Sequence, residues 1–404
     1  MLEKLRQFDV IVLGAGAAGL MCAATAGQRG RRVALLEHNG QPGRKILISG
    51  GGRCNFTNLH CGPGNFLSDN PHFCKSALAS YGPQDFLALV DRYGIRWHEK
   101  TLGQLFCDGS ARAILDMLLA ECELGGVEMV LNAHRIQVEG TAGGGFRVCC
   151  SAGEFEAGAL VVATGGLSIE KMGATGLAYE LAAQFGLRVG APRPGLVPLV
   201  LDGDEAGWKE LAGVAAEVEV WVEGAGSQAR GPIRFREKML VTHRGVSGPA
   251  VLQASSYWQA GDRLVVDFAP GLAGEAGLLQ PLMRMGARRD SAAMKQALRE
   301  VLPQRLAGFL AEAVAPEGWG NAALKSCEQR LRRYSLHPVG TEGFSKAEVT
   351  AGGVDTDGLQ ARTMEARTTP GLFFIGEAVD VTGWLGGFNF QWAWASGVAA
   401  GRAV

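Results

Sequence analysis

None of the nine cysteines in this 404-residue sequence forms a C-x-x-C pair, so neither a zinc ribbon nor a thioredoxin-type redox pair is written into it. Cys22, Cys54, Cys61, Cys74, Cys107, Cys122, Cys149, Cys150 and Cys327 are scattered and odd in number, which suits a reducing compartment rather than a disulfide framework. No apolar run approaches the ~20 residues that a membrane helix needs. The opening MLEKLRQF has no charged-then-apolar leader with a cleavage site, so the cytoplasm is the expected location and no membrane is an expected partner. Internal repeats and low-complexity tracts are absent. A net charge of −1 rules out a polyanion binder by bulk charge alone. Apolar residues at 47% and charged residues at 20% exclude a disordered chain, and the length suggests two or three domains.

What the chain does have is glycine, 59 residues without a G-X-Y period, as expected where backbone must turn tightly or approach a large ligand. Asp9 to Leu13 reads as a buried strand. Gly14-Ala15-Gly16-Ala17-Ala18-Gly19 follows it and opens an Ala-rich helix ending near Gly30, and Arg32 to Glu37 reads as a second buried strand. This is a βαβ unit with a G-x-G-x-x-G turn. Its glycines admit a pyrophosphate, its helix start offers a positive dipole end, and Glu37 stands where an acid accepts hydrogen bonds from an adenosine ribose. Gly14, Gly16, Ala18, Gly19 and Glu37 are therefore cofactor candidates.

Pro42 to Asn58 is too rich in Gly, Asn and Ser for regular structure of any length. Its GRKILISGGGRCN core places Arg44, Lys45 and Arg53 as cations near phosphates, and its three consecutive glycines, Gly50 to Gly52, put bare backbone against something flat or crowded; Ser49, Gly50 and Gly51 are cofactor candidates. Helices are expected over Pro83–Tyr93 and Ser110–Leu124, a strand-pair region from Val127 to Val138, and a hairpin turning at Gly143–Gly145. Ala159 to Thr164 reads as a buried strand, with Ala163, Thr164 and Gly165 at its cofactor end. Pro192, Pro194 and Pro198 mark a change of domain; short β-type runs then extend from Val197 to Phe268, and a helical pattern from Gly274 to Leu331. Gly371–Gly376 is a last buried strand, ending in Gly376, Glu377 and Asp380, where an acid would bind ribityl hydroxyls. Gly387, Phe388 and Asn389 open a terminal helix whose positive end would favour the charge of a reduced flavin.

Basic residues cluster in the middle of the chain. Arg230, Arg234, Arg236, Lys238 and Arg244 face only Glu237, and ten Lys and Arg lie between Arg284 and Arg333. Solvated helix faces would explain this; so would a surface for a phosphate-rich substrate.

The segments GAGAAG, GRKILISGGGRCNFTN, THRGVSGPA, AEVTAGGV and TMEARTTPGLFFIGEAVDVTGWLGGFNFQWAWASG together resemble a bacterial family of FAD-binding oxidoreductases. That family is variously labelled aminoacetone-oxidase-like, or grouped with ribosomal RNA dihydrouridine synthases and bile-acid-type C=C reductases. The resemblance covers nearly the whole chain. It implies an α/β fold: a Rossmann-type FAD-binding domain split in sequence (1–190 and 345–404), an inserted antiparallel β domain (191–272) and an inserted helical domain (273–344). It implies FAD as cofactor. No second G-x-G-x-x-G unit follows a strand, so NAD(P)H is expected as a transient reductant over the flavin. The implied enzyme is an FAD-dependent reductase of a C=C bond, with uridine in ribosomal RNA as substrate and the basic inserts as the RNA surface; a small-molecule amine oxidase or activated-alkene reductase is the alternative. By analogy with dihydrouridine synthases of an unrelated barrel fold, Cys54 is a candidate general acid, and packing against the flavin is its other reading. Asn55 and Asn389 are candidates for positioning a substrate amide or the flavin. His243 in the THRGVSGPA motif is a candidate substrate-cleft residue. Trp384 is a candidate stacking surface, whereas Trp392 and Trp394 are expected in the core.

Overall fold

The computed structural model describes residues 5–224, 231–272 and 277–404. Arg230 of the basic cluster, and residues 273–276 at the start of the expected helical insert, lie outside the described residues. The chain forms two compact units, one from its beginning through Arg193 together with Val349–Val404, the other Pro194–Glu348.

The first unit is Rossmann-like. Strand Arg6–Leu13 runs parallel to Val33–Leu36 on one side and to Gly153–Val162 on the other. Glu128–Val130 and Leu372–Phe374 extend the sheet in parallel, and the hairpin of Gln137–Gly140 and Phe146–Cys150 adds antiparallel strands. Val10 to Leu13 and Leu160 to Val162 are fully buried, as strands covered on both faces must be. Helix Ala17–Gln28 packs against the terminal helix Phe388–Ala403 through small residues. A Cβ added at Gly397 would sit 2.6 Å from the Ala18 carbonyl oxygen, and one at Gly401 2.7 Å from that of Cys22. Backbone meets backbone there, so the two ends of the sequence share one core.

Trp392 and Trp394 are buried in that core. The Trp392 indole N–H donates to the Gly376 carbonyl (3.0 Å) and that of Trp394 to Phe56 (2.8 Å), so each ring meets apolar neighbours without stranding its donor. The Trp394 ring stacks on Phe86 at 4.4 Å. A three-stranded sheet, Trp97–Glu99, Gln104–Cys107 and Asn55–Asn58, is antiparallel throughout and lies beside the terminal helix.

The second unit is built on a seven-stranded antiparallel sheet in the order Tyr334–Leu336, Arg263–Asp267, Ala215–Glu223, Phe235–Val241, Gly245–Ser247, Leu199–Val200, Gly340–Thr341. Helices Ser291–Arg299, Gln304–Ala313 and Asn321–Arg332 carry amphipathic apolar faces, with Leu298, Leu306, Leu310, Leu324 and Leu331 buried. Tyr334–Leu336 and Gly340–Thr341 fall inside the stretch expected as a separate helical insert, yet they hydrogen-bond to strands of this sheet, so sheet and helices belong to one unit.

Candidate functional site

The G-x-G-x-x-G turn divides its glycines by task. A Cβ at Gly14 (φ 100°) would meet the Ala163 carbonyl oxygen at 2.6 Å, and one at Gly19 the Gly14 carbonyl oxygen at 1.9 Å. A Cβ at Gly16 would meet nothing within 4 Å. Gly14 and Gly19 are thus packing positions, while Gly16 borders open space at the helix start, the place where a phosphate can approach backbone N–H groups.

Glu37 is 6% exposed. One carboxylate oxygen accepts the Ala15 N–H (2.8 Å); the other accepts the backbone and side-chain N–H groups of Asn39, both at 2.8 Å. Asn39 in turn accepts from Arg44 (2.7 Å), so the acid, the glycine turn and the next cation are one network.

The segment expected to be irregular begins as a helix. Arg44–Ile48 is helical because Gly43 adopts a left-handed φ of 65°, its N–H reaches the Ala15 carbonyl (2.9 Å), and Ile46 is buried beneath. The helix stops at Ser49 (ψ 149°), and Gly50 and Gly51 follow with positive φ. Gly50, Gly51 and Arg53 are exposed, and Arg53 has no recorded side-chain partner among the described residues. Lys45 is not left for a phosphate. Its ammonium donates to Ser168 Oγ (2.7 Å) and to Glu377 (2.9 Å).

Glu377 is correspondingly occupied. Its other oxygen accepts from Ser168 Oγ (2.7 Å) and the Thr350 N–H (2.9 Å). Burial alone would raise this carboxyl, but the Lys45 charge and these hydrogen bonds outweigh it and hold Glu377 below its ordinary range. Asp380 accepts the Asp69 N–H (2.9 Å), and burial pushes it up.

The structure places Cys54, Asn389 and His243 as follows. Cys54 is 0% exposed, its backbone φ is 52°, and burial pushes its thiol up to about 12 against an opposing hydrogen bond from Ser49. A sulfur with no open surface has no path to a reacting carbon, so the geometry supports packing and not proton donation. Asn389 spends its amide on its own loop: Oδ1 accepts the Gly383 N–H (2.8 Å), and Nδ2 donates to the carbonyls of Gly383 (2.9 Å) and Trp384 (3.3 Å). His243 is an exposed residue between strands Phe235–Val241 and Gly245–Ser247 of the second unit, in a turn closed by the Thr242 N–H on the Gly245 carbonyl (2.8 Å). Trp384 packs edge-on against Phe388 at 6.2 Å, and Phe388 is buried.

Sequence reasoning missed Gln104. Its Oε1 accepts from Asn55 Nδ2 (2.9 Å), which fixes the Asn55 amide. Asn55 Oδ1 is then buried without a partner, 3.0 Å from where a Gly387 Cβ would stand. Thr164 Oγ1 is likewise buried and unpartnered, on a residue that touches Gly14. One orphaned hydroxyl stands at the phosphate turn and one orphaned acceptor at the start of the terminal helix. Orphaned buried oxygens cost about 1–3 kcal/mol each unless a ligand satisfies them, and open space borders Gly16, Gly51 and Gly165. These residues fit a dinucleotide with donors along its length, as FAD has.

The basic clusters in the middle of the sequence are balanced in number by acids over residues 194–348, and several of their cations are paired. Residues 194–348 carry 18 Lys and Arg against 18 Asp and Glu. Arg234 pairs with Glu219, Arg236 with Glu217, Arg263 and Arg333 with Glu223, Arg332 with Glu328, and Lys295 with Glu312. Arg330 binds the carbonyls of Val314 and Ala315, and Arg305 that of Glu210. The acidic partners on strand Ala215–Glu223 precede the clusters in sequence and were not counted with them.

A family model described as the HI0933-like protein Rossmann domain matches residues 8–403. A ribosomal RNA dihydrouridine synthase of Escherichia coli (strain K12) is 47% identical over 412 residues, covering 98% of both chains. A 3-dehydro-bile acid delta(4,6)-reductase of Clostridium scindens is 29% identical, covering 97% of this chain and 98% of its own. Among solved structures, 3-ketosteroid-delta4-(5alpha)-dehydrogenase from Rhodococcus jostii RHA1 superposes with a TM-score of 0.50 at 16% identity, covering 99% of this chain and 98% of its own.

Proposed function

From the premise that the chain belongs to the HI0933-like family of Rossmann-fold, FAD-dependent oxidoreductases, we propose that it reduces the C5=C6 bond of a uridine in ribosomal RNA, with NAD(P)H as transient reductant. The observation that carries the reading is the 47% identity to a ribosomal RNA dihydrouridine synthase along 98% of both chains. The relative that acts on bile acids is also named a reductase, which favours alkene reduction over amine oxidation.

When bound and reduced by NAD(P)H, the flavin would supply a hydride to one alkene carbon while the neighbouring carbon takes a proton from solvent. The chain's own residues divide the remaining work. Gly16 and the start of helix Ala17–Gln28 hold the phosphates. The Thr164 hydroxyl, which can donate to a phosphate, and Asn55 Oδ1, which can only accept, would hydrogen-bond the cofactor. Glu37 ties the phosphate turn to the ribose end. The Lys45–Glu377–Ser168 network keeps the Glu377 charge neutralised and would lie on the cofactor's side of the strand end. The exposed Arg53 on the glycine loop is the cation available to a substrate phosphate.

Deletion of the gene followed by nucleoside analysis of large-subunit ribosomal RNA tests the reading. Loss of dihydrouridine, restored by the wild-type gene, is the expected result; unchanged dihydrouridine would sink it.

A further inference from the structure

We propose that Leu102, at the tip of the hairpin between Trp97–Glu99 and Gln104–Cys107, is a wedge that enters the base stack of the RNA substrate as the target uridine leaves it. This rests on the RNA reading above and adds how that substrate is opened.

The hairpin tip is built against local preference. The Gln104 N–H bonds the Thr101 carbonyl (3.0 Å), and both residues between them have positive φ, Leu102 at 53° and Gly103 at 77°. That is the pattern of a type I′ turn, whose first central position favours Asn, Asp or Gly. Leucine there costs on the order of 1 kcal/mol in backbone strain. Burial does not offset it, because Leu102 is 60% exposed; the turn is held instead by Asn58, which donates to the Leu102 carbonyl, and by Glu99, which accepts the Gly103 N–H (3.1 Å). A strained, exposed aliphatic residue at a turn where asparagine would be easier is open to a contact outside the protein.

The tip is tied to the flavin-facing turn. Asn58 Nδ2 donates both to the Leu102 carbonyl (3.1 Å) and to the Gly386 carbonyl (2.9 Å). A Cβ at Gly386 would meet the Gln104 side chain at 2.9 Å. One buried amide thus couples the protruding leucine to the residues that open the terminal helix. Lys100 and His60, both exposed, flank the tip; the Lys100 ammonium lies 5.3 Å from the Phe106 ring centroid, and the His60 ring abuts Gly103.

The tip carries an anion as well as a cation, since the exposed Glu99 accepts the Gly103 N–H next to the exposed Lys100; an aliphatic tip with a lysine in reach of a phosphate still suits a nucleic acid. Reduction at C5=C6 needs the uracil ring out of its stack. An apolar side chain pushed between base steps holds such a gap open, while a neighbouring lysine meets a phosphate. A protein partner would ask for roughly 800 Å² of matched surface, far more than one side chain offers.

Leu102→Asn tests this, since it keeps the turn and installs a residue the turn prefers. The expected variant has an equal or higher thermal midpoint and the same FAD content. It shows roughly tenfold lower kcat/KM on a folded large-subunit RNA domain, and less than about twofold change on a short single-stranded uridine oligonucleotide. With 2-aminopurine beside the target uridine, wild-type protein raises the fluorescence and the variant does not. Equal rates for both proteins on folded RNA overturn the wedge and leave the RNA reading standing. Equal losses on folded and single-stranded RNA also overturn it, in favour of a role in shaping the site. Wild-type protein that reduces neither RNA overturns both.

Discussion

At Cys54 the chemistry of a thiol and its position diverge. The GGGRCN segment brings a cysteine to the glycine loop, and sequence alone leaves proton donor and packing residue both open. The structure turns the sulfur inward, where it is 0% exposed, because strand Asn55–Asn58 starts at the next residue and the Cys54 N–H closes on the Ser49 carbonyl (3.0 Å). Cys54→Ala should therefore cost about 1 kcal/mol of stability, the ordinary size of a core truncation, and leave turnover within a few-fold of wild type. A native thiol held at about 12 should resist maleimide at pH 8. Loss of turnover without loss of fold, or rapid labelling of Cys54, would restore the acid role. Lys45 and Glu377 illustrate the same gap: spacing identified a cation and an acid for the cofactor, and side-chain direction paired them with each other. Glu377 is held below its ordinary value of 4.5, so the stabilisation is fully present above that pH and is lost as pH falls through the lower folded value. Glu377→Gln should flatten the acid limb of a thermal-midpoint-versus-pH profile, whereas an unchanged limb would show that the pair adds no stability. Lys45→Met should destabilise by about 1–2 kcal/mol, below the loss for a fully dry pair because both side chains keep some solvent.

The glycine turn was legible as an element because three signals coincided: a buried strand before it, a helix after it and an acid at the end of the next strand. The task of each glycine was not, since that depends on what lies opposite in space. Gly19→Ala drives a methyl to within 1.9 Å of the Gly14 carbonyl oxygen and should cost several kcal/mol, beyond the usual ~1–3 kcal/mol for overpacking. Gly16→Val meets open space, so the fold should hold while FAD affinity falls at least about tenfold. Thermal midpoint and bound-flavin absorbance, measured on both variants, separate the two outcomes; equal behaviour would contradict the division of roles. Helix Arg44–Ile48 was hidden by the Gly-, Asn- and Ser-rich composition around it, and its cause is tertiary, a buried Ile46 and a backbone bond to Ala15. The hairpin of Trp97–Glu99 and Gln104–Cys107 was not read from the sequence either, for its turn carries leucine where the usual signal is asparagine.

At the scale of the molecule, the joining of distant sequence in one Rossmann-type domain was legible from motifs at both ends, and its physical basis is backbone contact between the first and last helices at Ala18, Cys22, Gly397 and Gly401. The two charge windows read from the sequence left out the acidic strand Ala215–Glu223, whose Glu217, Glu219 and Glu223 pair with their arginines. Under the proposed function, RNA recognition would rest on local features such as Arg53 and the Leu102 tip. The most direct measurement is a single turnover: flavin-loaded protein, photoreduced without oxygen, is mixed with unmodified large-subunit ribosomal RNA while flavin absorbance and dihydrouridine are followed together. Reoxidation that matches dihydrouridine formed, mole for mole, is the predicted result. Flavin that stays reduced in the presence of that RNA, or that reoxidises without forming dihydrouridine, would contradict the account.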